Sequence, residues 1–264
     1  VDGCVGLRDW GGREEAGPIV LLHGLMGRGR TWRRQIPWLR RYGRVFTFDA
    51  EFHRGPGFPV PVPEEDIATE RFVADVAEIL VHLDQGPATL IGHSMGGLHA
   101  WCTAAEYPEL VRAIVVEDMS PEFTGQSTDT WSPWFASWPA RFGSQAACEE
   151  LFGPVAGRYF YEAFDDGALH GDLDTFRRIA DHWGPRDHWA QWRAVQAPTL
   201  LLEAEFTVVP PGIGTRMVGE YTGPDLRYFK VDGAGHLVHD DAPIVYRGAV
   251  EAFLSGLDDR PEHG

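Results

Sequence analysis

Short apolar runs alternate with longer amphipathic ones along most of the chain. Residues 19–22, 45–48, 89–91, 113–116 and 199–202 are short, apolar and bounded by Gly, Pro or charge, the pattern of strands buried on both faces. Residues 226–231 predict an edge strand, and residues 4–10 an earlier antiparallel strand ending at Gly11-Gly12. Residues 64–83 place Ile67, Phe72, Val73, Val76, Ile79, Leu80 and Leu83 near a 3.6-residue period, predicting a helix. Residues 95–106, stopped by Pro108, and residues 211–221 and 243–257 predict three more. This alternation predicts an α/β fold, a parallel sheet with helices on both faces.

Residues 120–197 break the rhythm. They hold no convincing strand but six of the ten tryptophans: Trp131, Trp134, Trp138, Trp183, Trp189 and Trp192. The stretch is too long for a loop. It reads as a helical cap inserted into a core made of residues 1–119 and 198–264. Its aromatics then divide between packing and the wall of a pocket.

Composition narrows the functional classes. The net charge of −16 disfavours nucleic acid and anionic membranes as partners. No apolar run approaches the length of a membrane span. Residues 1–10 carry Asp2 and Arg8 and lack the pattern of a secretory signal. Three widely spaced cysteines, Cys4, Cys102 and Cys148, argue against a disulfide framework or a zinc site. A cytoplasmic location is the expectation.

The candidate chemistry begins at Gly92-His93-Ser94-Met95-Gly96-Gly97, after one predicted strand and before one predicted helix. G-x-S-x-G in that context puts a serine hydroxyl on a tight turn above the sheet. The free N–H groups and dipole of the following helix favour developing negative charge there. Ser94 is the candidate nucleophile. His23-Gly24-Leu25-Met26-Gly27 follows the strand at 19–22. The backbone N–H groups of Leu25 and Met95 are the candidate oxyanion donors, and His23 is expected to be a structural hydrogen-bonding residue. Gly233-Ala234-Gly235-His236 follows the strand at 226–231. A histidine on such a loop can act as base and then acid, and His236 is preferred to His239. Met26, Trp131, Trp134, Trp138 and Leu237 are the expected apolar substrate-binding wall.

These three motifs, in this order, resemble the α/β-hydrolase superfamily over nearly the whole chain. Within it the chain is similar to small bacterial esterases and thioesterases, a branch that includes the yeast ethanol acetyltransferase type. The resemblance implies an eight-stranded, mostly parallel sheet, a helical cap and no cofactor. It also implies an acid after the strand at 199–202, where Thr207 stands instead. That branch carries its acid after the preceding strand, which makes Asp118 the candidate, with Glu205 as runner-up. Glu117 should face away from Asp118, because side chains alternate along a strand.

The expected function is therefore a serine hydrolase of small to medium apolar esters or thioesters, with a small-molecule substrate and no metal. Carbon–carbon bond hydrolases and acyltransferases share the same triad. A non-catalytic binding protein on this fold is the remaining alternative.

Overall fold

The protein's structure is a computed structural model that describes residues 6–55, 62–123 and 128–258. The strands are β1 (Arg8–Gly12), β2 (Pro18–Leu22), β3 (Arg44–Thr47), β4 (Ala88–His93), β5 (Val111–Glu117), β6 (Thr199–Phe206) and β7 (Leu226–Gly235). They form one sheet in the order β1-β3-β2-β4-β5-β6-β7. β1 runs antiparallel to β3, and every other pairing is parallel. The described residues hold seven strands, where the resemblance implied eight.

Two strands depart from expectation at their glycines. β1 does not stop before Gly11-Gly12 but includes both, with a register shift between Asp9 and Gly12. Gly12 sits at φ 139°, and a Cβ there would lie 2.1 Å from the Gly43 carbonyl oxygen. Residues 4 and 5 of the expected strand lie outside the described residues. β7 continues four residues past the expected end, and Gly235 pairs with Phe206. Ladder pairing to a long β6 overrides the loop-like composition of the glycine-rich text.

Helices cover both faces. On one face α1 (Thr69–Leu83) and α2 (Met95–Glu106) pack Phe72, Val76, Ile79, Leu98 and Trp101 against Val20, Leu90, Ile114 and Leu201. On the other face Ile19, Leu21, Ile91, Val115 and Leu200 meet Trp32, Leu39, Tyr246 and Phe253. Alternate residues of each strand thus feed opposite cores. Full burial of each such side chain contributes about 1.5–3 kcal/mol.

Between β5 and β6 lie α3 (Trp131–Ala136), α4 (Gln145–Phe152), α5 (Pro154–Ala163), α6 (Leu173–Trp183) and α7 (Trp189–Ala194). This is the helical stretch expected of residues 120–197. Two of its tryptophans are plain core: Trp189 and Trp192 are fully buried, and their indole N–H groups donate to Glu122 Oε2 and the Met217 carbonyl. The last helices are α8 (Ile213–Glu220) and α9 (Pro243–Asp258).

The core also holds His23, His53, His93, His99 and His170. Burial pushes all five below the ordinary histidine value, His99 to about 3. A buried neutral histidine stabilises the fold fully above the unfolded value near 6.5, and this stability is lost as pH falls below it. Asp75, which burial raises to about 6, and Glu106, His239 and Asp241, also raised, work in the opposite sense but are fewer than the five rings. The melting temperature should therefore fall as pH drops from about 6.5 to 5. His99→Phe should flatten that fall by about one proton, roughly 1.4 kcal/mol per pH unit. A melting temperature unchanged over this window would contradict the burial of these rings as neutral species.

Candidate active site

β4 ends at His93, and α2 begins at Met95. Ser94 between them sits at φ 52°, ψ −124°, a conformation that costs a non-glycine residue on the order of 1–3 kcal/mol. Its N–H donates to the Glu117 carbonyl, and its carbonyl accepts from Gly97. The flanking glycines are required by close approach. A Cβ on Gly92 would lie 2.2 Å from the Gly96 carbonyl oxygen, and one on Gly96 2.2 Å from that of Leu22. No larger residue lets the helix start this close to two strands.

The 23–27 loop is fastened by histidines. His23 Nε2 accepts the Ala50 N–H at 2.9 Å, while its Nδ1–H donates to the Gly24 carbonyl at 2.8 Å. This is the structural role expected of it. His53 Nε2 accepts the N–H of Met26 at 3.2 Å. Met26 itself stands at φ 61°. The Met26 N–H is thus used within the protein, and no hydrogen bond among the described residues claims that of Leu25 or Met95.

At the end of β5 two adjacent carboxylates part company. Asp118 stands at φ 49°, and its N–H donates to the Leu202 carbonyl. Its Oδ2 lies 2.6 Å from His236 Nδ1. Its Oδ1 accepts the Ala204 N–H at 2.9 Å and the Thr207 hydroxyl at 2.7 Å. The Asp118 side chain is wholly buried, and that of His236 is 30% exposed. Glu117 faces the other way: its carboxylate accepts His239 Nδ1–H at 2.8 and 2.9 Å and the His239 N–H at 3.0 Å. Burial draws the His239 ring down, but the Glu117 charge and hydrogen bond outweigh it and leave the pKa above its ordinary value. Glu205 is spent elsewhere, accepting the Gly233 N–H at 2.7 Å.

His93 lies between the two pairs, its ring centroid 4.7 Å from that of His236 and 5.5 Å from that of His239. Burial and these neighbouring rings hold it well below the ordinary value, hence neutral. Its Nε2 is 3.0 Å from the His236 carbonyl, an acceptor only, so that nitrogen carries the proton. The residue before the serine therefore anchors the backbone of the histidine loop. Its place in a G-x-S-x-G motif does not reveal this.

Ser94 and His236 open into one cavity of about 550 Å³. Met26, Trp131, Trp134 and Leu237 of the expected apolar wall line it, together with Leu25, the candidate oxyanion donor. Trp138 does not. Its ring meets Trp134 and Phe152 edge-on at 4.9 and 4.8 Å, so it backs the wall instead of forming it. Phe152, Tyr159, Phe160, Trp183 and Val208 also line the cavity and were not singled out from sequence. The aromatic excess of residues 120–197 was the available signal. The arginines of the segment after the 23–27 loop tie down the end of α5 and the turn that follows it: Arg28 and Arg30 pair with Asp165, and Arg33 and Arg34 with Glu162.

The comparisons with known proteins agree with this architecture. A family model described as "Alpha/beta hydrolase family" matches residues 19–248. The 2-(acetamidomethylene)succinate hydrolase of Mesorhizobium japonicum is 26% identical over 254 residues, spanning 90% of this chain and 88% of that protein. The crystal structure of E-2-(acetamidomethylene)succinate hydrolase superposes with a TM-score of 0.78 at 23% identity and covers 94% of each chain. The enol-lactonase of Burkholderia xenovorans LB400 gives 0.71 at 20% identity, over 94% of this chain and 95% of that one. At such identities structural likeness speaks for the fold alone. The family match extends over most of the sequence, and the chain belongs to the alpha/beta hydrolase family.

Proposed function

We propose that this protein is a serine hydrolase that cleaves uncharged carboxylic esters or thioesters through an acyl-enzyme. One observation carries the reading. A serine on a strained strand-to-helix turn shares an apolar cavity with a histidine whose far nitrogen is held by a buried aspartate. Ser94 Oγ attacks the carbonyl carbon, and His236 Nε2 takes its proton. Asp118 keeps His236 in the required tautomer and stabilises the imidazolium. The N–H groups of Leu25 and Met95 receive the oxyanion. His236 then returns the proton to the departing alcohol or thiol. A water molecule, deprotonated in the same way, releases the acid and regenerates Ser94. The similarity of the motifs to the esterase and thioesterase branch supports the same chemistry.

The cavity favours neutral substrates. Its lining among the described residues includes aromatic and aliphatic side chains and contains no lysine or arginine. A succinate-type substrate, as in the name of the Mesorhizobium relative, carries carboxylates that would enter without a cationic partner. Burying an unpaired charge costs several kcal/mol.

Ser94→Ala should lose about a million-fold in kcat, and a fluorophosphonate should add to Ser94 in the parent protein alone. Wild-type turnover by folded Ser94→Ala protein would end the proposal. Asp118→Asn should cost about 10⁴-fold, with Glu205→Gln close to neutral; the reverse ranking would move the acid to β6.

Substrate charge is tested separately. Neutral p-nitrophenyl acyl esters should exceed a p-nitrophenyl succinate monoester in kcat/KM by at least about tenfold, the ratio set by roughly 1.4 kcal/mol. Preference for the charged ester would show that the lining was misjudged.

A further inference from the structure

We propose that Thr207 is a positioning residue for the acid: its hydroxyl fixes the Asp118 carboxylate that holds His236. The proposal rests on the reading of Asp118 and His236 given above and adds a member to that relay.

Asp118 departs from its strand with left-handed backbone, at φ 49°. From there its carboxylate must span between β5 and the loop after β7. A single contact to His236 would leave it free to rotate about its Cβ–Cγ bond. The second oxygen removes that freedom. Oδ1 is held by the Ala204 N–H at 2.9 Å and by the Thr207 hydroxyl at 2.7 Å, and Oδ2 is left for His236 at 2.6 Å.

The direction of the hydroxyl proton follows from its neighbours. Thr207 Oγ1 accepts the Val209 N–H at 2.8 Å. A hydroxyl has one proton, and the carboxylate beside it can only accept. The proton therefore points at Asp118. Val209 N–H and Thr207 O–H form a directed chain that ends on the Asp118 carboxylate, whose other oxygen accepts the His236 Nδ1–H, and the two successive hydrogen bonds of that chain strengthen one another. Thr207 occupies the loop after β6, where the motif comparison leaves the usual acid position vacant. In this protein the vacancy is filled by a donor to an acid carried on the neighbouring strand. A serine keeps that donor, whereas valine keeps the shape of threonine and removes it.

Steady-state kinetics on a neutral p-nitrophenyl ester, with melting temperatures measured in parallel, provide the test. Thr207→Val should lower kcat about ten- to a hundredfold, the range for losing a hydrogen bond to a charged group, with KM little changed. Thr207→Ser should recover kcat to within about threefold. In an Asp118→Asn background, Thr207→Val should cost nothing further in kcat, because the residue acts through Asp118. If Thr207→Val lowers the melting temperature but leaves kcat at wild type, Thr207 only shapes its turn and the proposal is overturned. The same holds if its loss is undiminished beside Asp118→Asn. If Asp118→Asn itself keeps full activity, the assignment of the acid fails first and takes Thr207 with it, a result distinct from either of the others.

Discussion

Two adjacent carboxylates at the end of β5 must both be buried, and the site depends on how they avoid one another. Unit charges about 4 Å apart repel by roughly 4 kcal/mol in an environment of effective dielectric near 20. The chain answers with geometry. The left-handed turn at Asp118 sends its carboxylate toward His236, while Glu117 faces His239. Each anion then has its own donors: three hydrogen bonds for Asp118, and the ring and backbone N–H of His239 for Glu117. A histidine with a raised pKa is the natural partner of a wholly buried glutamate, since an unpaired buried carboxylate is strongly destabilising.

That arrangement fixes both ends of the histidine loop. His236 is gripped through its ring by Asp118 and through its carbonyl by His93, and His239 is gripped three positions later by Glu117. The 23–27 loop is secured by the same device with reversed polarity. There, neutral histidines, His23 and His53, accept backbone N–H groups. Burial keeps those rings unprotonated, so each retains a lone pair to offer. Preorganised groups in a site need not rearrange during reaction, and here buried imidazoles hold the backbone of both loops.

The helices between β5 and β6 supply much of the cavity's apolar wall. Aromatic side chains from α3 to α6 meet Met26 and Leu237 of the core around the serine. Behind them Trp138 packs edge-on against Phe152 and tilted against Phe160, geometries that suit the ring quadrupoles. In such surroundings an unpaired carboxylate is costly, which is the physical ground of the proposed preference for neutral substrates.

Much of this was legible in the residues. The 3.6-residue period within residues 64–83 located a helix, because an amphipathic helix must repeat its apolar face, although the α-helix begins only at Thr69. The glycines around Ser94 marked the elbow, since only a residue without Cβ fits 2.2 Å from a carbonyl oxygen. The expected separation of Glu117 from Asp118 holds for another reason than strand alternation: β5 ends at Glu117, and the left-handed backbone of Asp118 turns its carboxylate away. Other features depended on chain segments far apart in sequence. Whether Trp138 lines the cavity or backs it, whether the glycines of β7 form a loop or a ladder, and which donor meets Asp118 Oδ1 are set by neighbours up to 89 positions away. The sequence by itself determined local geometry and the kinds of chemical group available, because backbone sterics and hydrophobic period act within a few residues. Only the tertiary structure decided which of those groups touch, because hydrogen-bond reach is about 3 Å and is set by how strands and helices pack.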